Sequence, residues 1–293
     1  MVNQKWPDKI YGIELEIKLN NFAKTFKRVF TLCKALFMFS TFVYTCKPLL
    51  VRARVLATQL YVPCDLHSNS CYITFLVIQN IYIAIMAAGE ILFDFIFHAF
   101  LFFAYIELEK IKYGFRNLDI MENRQDNDRH MYMDFCNIIR HHNFILKFLH
   151  DLNNVYSLQL FNHFITIAAN IVVAILFMNK DGFPPSYDDM ARYIPYLISI
   201  LSQLFLYCLA GEGIYNQLSS VSDAVYESKW YNIKQPSSMT KGMTLVIEMS
   251  HINEKLTIGN IWPLKLTTFM RIIKASFSFQ ACVQTAYKRD DTI

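Results

Sequence analysis

Long apolar stretches leave this chain few ways to fold. Five of them are near or above the roughly 20 residues with which an α-helix crosses a bilayer. They cover residues 29–48, 72–108, 158–178, 193–210 and 263–287. None alternates apolar and polar residues as a strand of a membrane barrel does. The sequence therefore predicts an all-α fold, a polytopic transmembrane helical bundle with about five spans, the second of which is longer than a bilayer is thick.

The composition also indicates a membrane protein. Apolar residues make up 54% of the chain and charged residues 18%, below the roughly 25% of soluble domains. Residues 1–20 lack the apolar core of a cleavable signal peptide. No block of Lys or Arg resembles a nucleic-acid-binding arm, so nucleic acid is not an expected partner. The cysteines show no zinc-site spacing, and Cys64 and Cys71 can pair if their loop is extracellular.

Lysine and arginine are distributed unevenly between the segments that join the apolar stretches. Eighteen of them lie in three segments that the predicted topology places on one side of the membrane: the N-terminal segment, the connection after the second stretch, and the connection before the fifth stretch together with its first turn. The segments on the opposite side hold 7. Since basic residues collect on the cytoplasmic side, we expect a cytoplasmic N-terminus and an extracellular C-terminus. The chain then divides into a cytoplasmic N-terminal segment, a transmembrane bundle with a long cytoplasmic loop, a cytoplasmic anchor segment and a final pore-type transmembrane helix. These cover residues 1–28, 29–210 with the loop at 109–156, 211–262 and 263–287.

The loop at residues 109–156 has a helical apolar pattern. Its apolar positions are Met133, Cys136, Ile139, Phe144, Phe148 and Leu152. An apolar face on a cytoplasmic helix needs a partner. That partner is either another part of this chain or a neighbouring subunit, and the pattern leaves both open.

The last apolar stretch carries many hydrogen-bonding side chains in its second half. They are Ser276, Ser278, Gln280, Gln284 and Thr285. A helix that faces only lipid does not need them, whereas a helix that faces other helices or water does. This end of the chain is therefore expected to line a passage or to meet another helix.

Ionisable side chains recur on the second stretch. Glu90, Asp94 and His98 are four residues apart and share one helical face. Such groups are costly inside a membrane and usually point into the bundle. The pattern fits a metal site or a proton relay, but it favours a polar network. His141 and His142 are adjacent and cannot share a helical face, so they do not predict a metal site. We expect no metal and no cofactor. No catalytic arrangement is visible, and an enzyme is not expected.

Aromatic and polar residues recur toward the predicted outer ends of three stretches. The set is Phe39, Phe42, Tyr44, Phe75, Gln79, Tyr82, Tyr196 and Ser199. Tyrosine at a membrane interface is ordinary anchoring. Apolar walls with few polar groups are also typical of a pocket for a small hydrophobic ligand. Composition alone favours the anchoring interpretation.

Short motifs in the last third resemble those of a known family, the insect odorant receptors. The motifs are Gly211-Glu212, then Ala224, Tyr226 and Trp230, then Pro263, Leu264, Leu266 and Phe269, then Lys274, Ser276, Phe277 and Ser278. Upstream, "YVPCDL", "CYITFLVIQNIY" and "IIRHHNFILKFL" are also similar to parts of that family. The family's members are longer, and the five stretches here correspond to spans three to seven of its seven, so we expect that the first two are lacking.

The resemblance implies a function. The family comprises ligand-gated, non-selective cation channels that detect small volatile hydrophobic molecules. It implies that the aromatic set above binds the odorant, that Gln280, Ala281, Gln284 and Thr285 line the pore, and that Tyr226 and Trp230 serve assembly. It further implies a heterotetramer with a shared odorant receptor coreceptor in the plasma membrane of sensory neuron dendrites. Two alternatives stay open. One is a truncated, non-conducting protein that only associates with other subunits, and the other is a fragment of a G-protein-coupled receptor, whose opposite orientation disagrees with the charge distribution.

Overall fold

The computed structural model describes residues 13–50, 56, 63–64, 67–118, 127–179, 185–228, 237–252 and 256–290. Within them nearly every residue is helical, because long apolar runs satisfy their backbone polar groups internally. The helices are α1 Ile13–Leu50, α2 Asn69–Arg116, α3 Asn127–Met178, α4 Tyr187–Glu227, α5 Ser237–Ile252 and α6 Leu266–Asp290. A hairpin of two short strands, β1 Thr257–Ile258 and β2 Trp262–Pro263, lies between α5 and α6. The predicted all-α class is confirmed.

Three helices in the described part of the chain are long and apolar enough to cross a membrane. These candidate spans are Asn69–Arg116, Met131–Met178 and Asp189–Glu227, and they contain the second, third and fourth predicted stretches. The helix α2 has 48 residues and is therefore about 72 Å long, more than twice the thickness of a hydrocarbon core. The first predicted stretch lies in α1 and the fifth, apart from its first three residues, lies in α6; their crossing of the membrane stays a prediction.

The chain forms two compact units. Unit 1 contains Met1–Phe26, Ala99–Phe164 and Tyr207–Phe269. Its core is apolar and is built from successive turns of α2, α3, α4 and α5. Its fully buried side chains include Leu108, Phe115, Ile145, Leu149, Val221 and Met239. The helical character predicted for the loop at residues 109–156 is confirmed, since it forms the end of α2 and the beginning of α3.

The buried face of α3 differs from the predicted one. The residues that pack inward are Met131, Phe135, Ile138, His142, Ile145, Leu149 and Leu152. Met133 and Phe144, which we expected on the apolar face, are exposed. The prediction is therefore right for Leu152, which is buried, and wrong for Met133 and Phe144, while Cys136, Ile139 and Phe148 are half-buried at the edge of the stripe.

Unit 2 contains Lys27–His98, Ile165–Leu206 and Met270–Ile293. Apolar contacts between its helices include the stacked rings of Phe177 and Tyr193, whose centres are 6.3 Å apart. Cys64 and Cys71 form a disulfide across a Cα–Cα distance of 6.4 Å. The pairing that the sequence left conditional is therefore present.

Candidate functional site

The hairpin before α6 is held on α3 by hydrogen bonds. The side chain of Asn153 accepts from the backbone N–H of Thr257 at 2.7 Å and from its hydroxyl at 3.0 Å. The backbone carbonyl of Ser157 accepts from Gly259 at 2.9 Å, and the Ser157 hydroxyl accepts from the N–H of Asn260 at 2.9 Å. These bonds satisfy turn donors that would otherwise be unpaired. The hairpin is thus attached to one side of α3.

Two left-handed residues close this turn. Gly259 has a φ of 63° and Asn260 a φ of 57°, conformations that glycine and asparagine adopt most readily. A Cβ at Gly259 would also lie 2.8 Å from the Phe161 ring. Both the backbone and the neighbouring ring therefore require glycine here.

The beginning of α6 is held on α4. A carboxylate oxygen of Glu212 accepts from the backbone N–H of Leu266 at 3.3 Å, where a helix has unpaired donors and a positive dipole end. The Nζ of Lys265 lies 3.0 Å from the centre of the Tyr215 ring. A Cβ on Gly211 would lie 2.2 Å from the carbonyl oxygen of Leu264. Only glycine permits this close approach of backbone to helix.

These contacts define one structural element, which we call the α6 joint: Asn153 and Ser157 on α3, Gly211 and Glu212 on α4, and residues 257–266. The sequence presented the Gly-Glu motif and the Pro-Leu-x-Leu motif as separate matches, which begin 52 positions apart at Gly211 and Pro263. The structure brings them into direct contact. No local signal in the sequence predicted the part that Asn153 and Ser157 play.

The predicted pore residues lie on different faces of α6. Gln280 is buried, and its side chain donates to Gln284 at 3.1 Å within the same helix. Ala281 and Thr285 are exposed, and the Thr285 hydroxyl donates to the Ala281 carbonyl at 2.8 Å. One stripe of exposed residues on α6, which we call its outward face, is polar or small. It comprises Arg271, Lys274, Ala275, Ser278, Ala281, Cys282 and Thr285. Met270, Phe277 and Phe279 are also exposed and lie beside this stripe.

The predicted ligand residues also divide by exposure. Gln79 and Ser199 are buried, Phe75 and Tyr196 are half-buried, and Phe39, Phe42 and Tyr82 are exposed. The side chain of Tyr44 lies outside the described residues. The Ser199 hydroxyl is buried and has no hydrogen-bond partner among the residues that the structure describes. All of these positions belong to unit 2.

The ionisable residues of α2 form polar networks. Asp94 is 1% exposed and binds the ammonium of Lys34 and the side-chain amide of Gln203, the latter at 2.9 Å. His98 Nδ1 lies 2.7 Å from the Asp94 carbonyl oxygen. These contacts support the favoured interpretation of a polar network. The sequence did not indicate that Lys34 and Gln203 belong to it.

A second buried network lies in unit 1. One oxygen of Glu109 accepts from Lys112 at 2.9 Å and from Gln217 at 3.0 Å, and Lys18 lies 3.2 Å from the other oxygen. Glu109, Lys112 and Gln217 are all buried. The three helices α1, α2 and α4 therefore share one carboxylate. Sequence reasoning missed this group because its members are up to 199 positions apart.

The predicted assembly residues are described only in part. Tyr226, in the last turn of α4, is 75% exposed, and Trp230 lies outside the described residues. An exposed tyrosine is available to a neighbouring subunit. Its role in assembly stays a prediction.

Comparison with known proteins decides the family. The model of the family described as 7tm Odorant receptor matches residues 4–277. The chain belongs to this odorant receptor family. Members of the family are receptors and not enzymes, and the long apolar helices make this chain a multi-pass membrane protein.

Several odorant receptors are similar in sequence. Odorant receptor Or2 of Anopheles gambiae is 22% identical over 160 residues, 54% of this chain and 40% of that receptor. Odorant receptor 67c of Drosophila melanogaster is 26% identical over 153 residues, 52% of this chain and 36% of the relative. Odorant receptor 85c of the same fly is 23% identical over 254 residues, 85% of this chain and 63% of the relative. The chain thus spans less than two thirds of these relatives.

The fold is similar to that of a solved odorant receptor. The olfactory receptor OR5 from Machilis hrabei matches with a TM-score of 0.80 and 15% identity, over 93% of this chain and 69% of that one. Its complex with eugenol matches with a TM-score of 0.81 and 14% identity, over 94% and 70%. At such low identity the likeness establishes the fold alone.

Proposed function

We propose that this odorant receptor chain is a subunit of a ligand-gated, non-selective cation channel that responds to small volatile hydrophobic molecules. The observation that carries the proposal is the outward face of α6. Its polar and small residues lie opposite the buried face, which contains Ser276 and Gln280. Hydrogen-bonding groups on an outward membrane face need water or another helix. A water-filled lumen shared by several subunits meets that need.

Because α6 has a buried and an exposed face, only some of the four predicted pore residues are proposed to line the lumen. Ala281 and Thr285, with the half-buried Gln284 beside them, line the lumen, and Gln280 supports the helix from within. Small side chains at the lumen leave room for hydrated cations. The stretch from Ser276 to Thr285 offers no carboxylate ring, so weak discrimination between cations is expected.

The proposed odorant site lies among α1, α2 and α4 in unit 2. The buried Ser199 hydroxyl supports it, because a buried hydroxyl without a partner is costly and a ligand acceptor would relieve that cost. Gln79 and Ser199 supply polar contacts, and Phe75 and Tyr196 supply apolar surface. Phe39, Phe42, Tyr44 and Tyr82 complete the proposed set at its margin. The olfactory receptor OR5 from Machilis hrabei, whose fold is similar, has been solved in complex with eugenol.

The subunit is proposed to assemble as a heterotetramer with the shared odorant receptor coreceptor in the plasma membrane of sensory neuron dendrites. The anchor segment at residues 211–262, with Tyr226 and Trp230, provides the proposed contact surface. The exposure of Tyr226 supports this, since aromatic residues are frequent interface anchors. The disulfide between Cys64 and Cys71 supports an extracellular loop there, because disulfides persist in oxidising compartments.

A second candidate function is a non-conducting membrane protein that only associates with other receptor subunits. The two candidates differ in whether current flows through a lumen that α6 lines.

Cysteine accessibility separates the two candidates. The chain is co-expressed with the coreceptor in cells that lack odorant receptors, and odorant-evoked current is recorded before and after a charged methanethiosulfonate reagent. Cys282 lies on the outward face of α6, so the wild-type current should change, and Cys282→Ser should abolish that change. In the Cys282→Ser background, Thr285→Cys should restore sensitivity. Gln280→Cys, on the buried face, is the matched control and should remain insensitive. Currents insensitive in every variant would overturn the pore assignment.

A further inference from the structure

A buried ion pair connects α1 and α2 inside unit 2. Lys34 lies within the first predicted span, and its side chain is 14% exposed. Its ammonium binds a carboxylate oxygen of Asp94, which lies in the candidate span formed by α2. Charged groups at this depth are costly unless they are paired. Each of the two residues therefore depends on the other.

A third helix joins the pair. The side-chain amide of Gln203, on α4, donates at 2.9 Å to the same oxygen of Asp94 that Lys34 contacts. The Lys34 ammonium also lies 5.3 Å from the ring centre of Phe30 and 6.0 Å from that of Phe37, within reach of cation–π attraction. Two donors from two helices and two flanking rings thus surround one carboxylate and its counterion.

The pair differs physically from an apolar contact in being directional. Apolar side chains of similar volume stabilise a helix interface as well as, or better than, a buried ion pair does. They also tolerate small rotations and sliding, because dispersion contacts depend little on angle. A charged hydrogen bond to one oxygen atom is satisfied in one arrangement only. The pair is therefore suited to define a particular register of α1, α2 and α4.

We infer that Lys34 and Asp94, with Gln203, are positioning residues that hold α1, α2 and α4 in the register from which the receptor responds to its ligand. This inference rests on the proposed function, because the same three helices carry the proposed ligand residues Phe39, Gln79 and Ser199. A ligand that changes the arrangement of these helices must either break the ion pair or move its three residues together. The pair thereby sets how much of the population occupies the resting arrangement.

The experiment compares four variants co-expressed with the coreceptor. Lys34→Met and Asp94→Leu each remove one member of the buried ion pair and leave the other in place. The double variant K34M/D94L replaces the pair with apolar groups, and K34D/D94K reverses it. Lys27→Met is the matched control, since Lys27 lies two turns earlier on α1 and is exposed. Surface abundance, melting temperature in detergent, ligand-free current and odorant EC50 are measured for each.

The single variants should lower surface abundance and melting temperature, and K34M/D94L should restore both. If the pair positions the helices, K34M/D94L should still shift the EC50 or the ligand-free current by roughly tenfold, a typical size for coupling between sites. The reversed pair should recover part of the response, and Lys27→Met should change nothing.

A double variant K34M/D94L with normal current and normal EC50 would overturn the inference and leave the pair a purely structural contact. Unchanged melting in both single variants would show that the pair does not form. A wild-type chain that reaches the surface but gives no odorant current would instead overturn the proposed function and this role with it. The melting data would then still decide whether the pair exists.

Discussion

Asn153 and Thr257 are 104 residues apart in sequence, yet one side-chain oxygen of Asn153 accepts two hydrogen bonds from Thr257. The bonds measure 2.7 Å from the backbone nitrogen and 3.0 Å from the hydroxyl. They attach the hairpin before α6 to α3. Removing the amide leaves two donors of Thr257 without this acceptor. We therefore expect Asn153→Ala to reduce the free energy of unfolding by about 1–3 kcal/mol.

This prediction is checked by the melting temperature of the detergent-solubilised protein. Asn154→Ala is the control, since Asn154 is the next residue and is exposed. Its melting temperature should match that of the wild type. Equal melting temperatures for Asn153→Ala and Asn154→Ala would mean that the stability of the α6 joint does not depend on Asn153.

Gly211 lies where α4 meets the chain before α6. A Cβ there would lie 2.2 Å from a backbone oxygen of Leu264, and backbone cannot move aside as a flexible side chain can. Gly211→Ala should therefore lower the free energy of unfolding by about 1–3 kcal/mol, a typical cost of overpacking. Thermal unfolding measures the change.

Gly213 provides the matched control for Gly211. It lies on the same helix and has nothing within 4 Å of its Cβ position. Gly213→Ala should be neutral or stabilising by up to about 1 kcal/mol, because alanine favours the helix. A destabilised Gly213→Ala with an unaffected Gly211→Ala would contradict the observed packing of the α6 joint.

Glu109 lies at the centre of the polar network in unit 1. Glu109→Ala leaves the buried ammonium of Lys112 without its carboxylate. The free energy of unfolding should therefore fall by about 3–5 kcal/mol. The double variant E109L/K112M should recover most of that loss. The control is Glu227→Ala, which breaks the exposed pair with Arg116 and should cost less than about 1 kcal/mol. Similar melting of Glu109→Ala and Glu227→Ala would refute the buried network.

The disulfide between Cys64 and Cys71 predicts the side of the membrane on which that loop lies. Cys64→Ser frees the Cys71 thiol. On intact cells, a membrane-impermeant maleimide should then label Cys71 without prior reduction, in a background in which the exposed Cys282 is replaced by serine. The double variant C64S/C71S is the unlabelled control. Labelling that requires permeabilised cells would place the loop in the cytoplasm and reverse the expected orientation.

Ser199 carries a buried hydroxyl that has no partner in the described part of the chain. Ser199→Ala should slightly raise the melting temperature, because it removes an unsatisfied polar group. It should also weaken the response to odorants with a hydrogen-bonding group by about threefold to tenfold, the value of one hydrogen bond. Matched apolar analogues should be affected less. An equal loss for both ligand types would indicate a role in packing or gating.

The sequence by itself determined the helical fold. The apolar stretches are long enough to predict α2, α3 and α4 as spans, and their identity as helices depends only on local composition and length. The motifs around Gly211 and Pro263 pointed to the family, which the match over residues 4–277 confirmed. These features are local, so a single sequence contains them in full.

Only the tertiary structure decided which side chains meet. Helical spacing puts Gln280 with Gln284 and Ala281 with Thr285, but it does not say which pair faces inward; in the structure Gln280 is buried and Ala281 is exposed. It also did not pair Lys34 with Asp94 or Asn153 with Thr257. Such pairings depend on how each helix is rotated against its neighbours, and that rotation is set by the packing of all the helices at once.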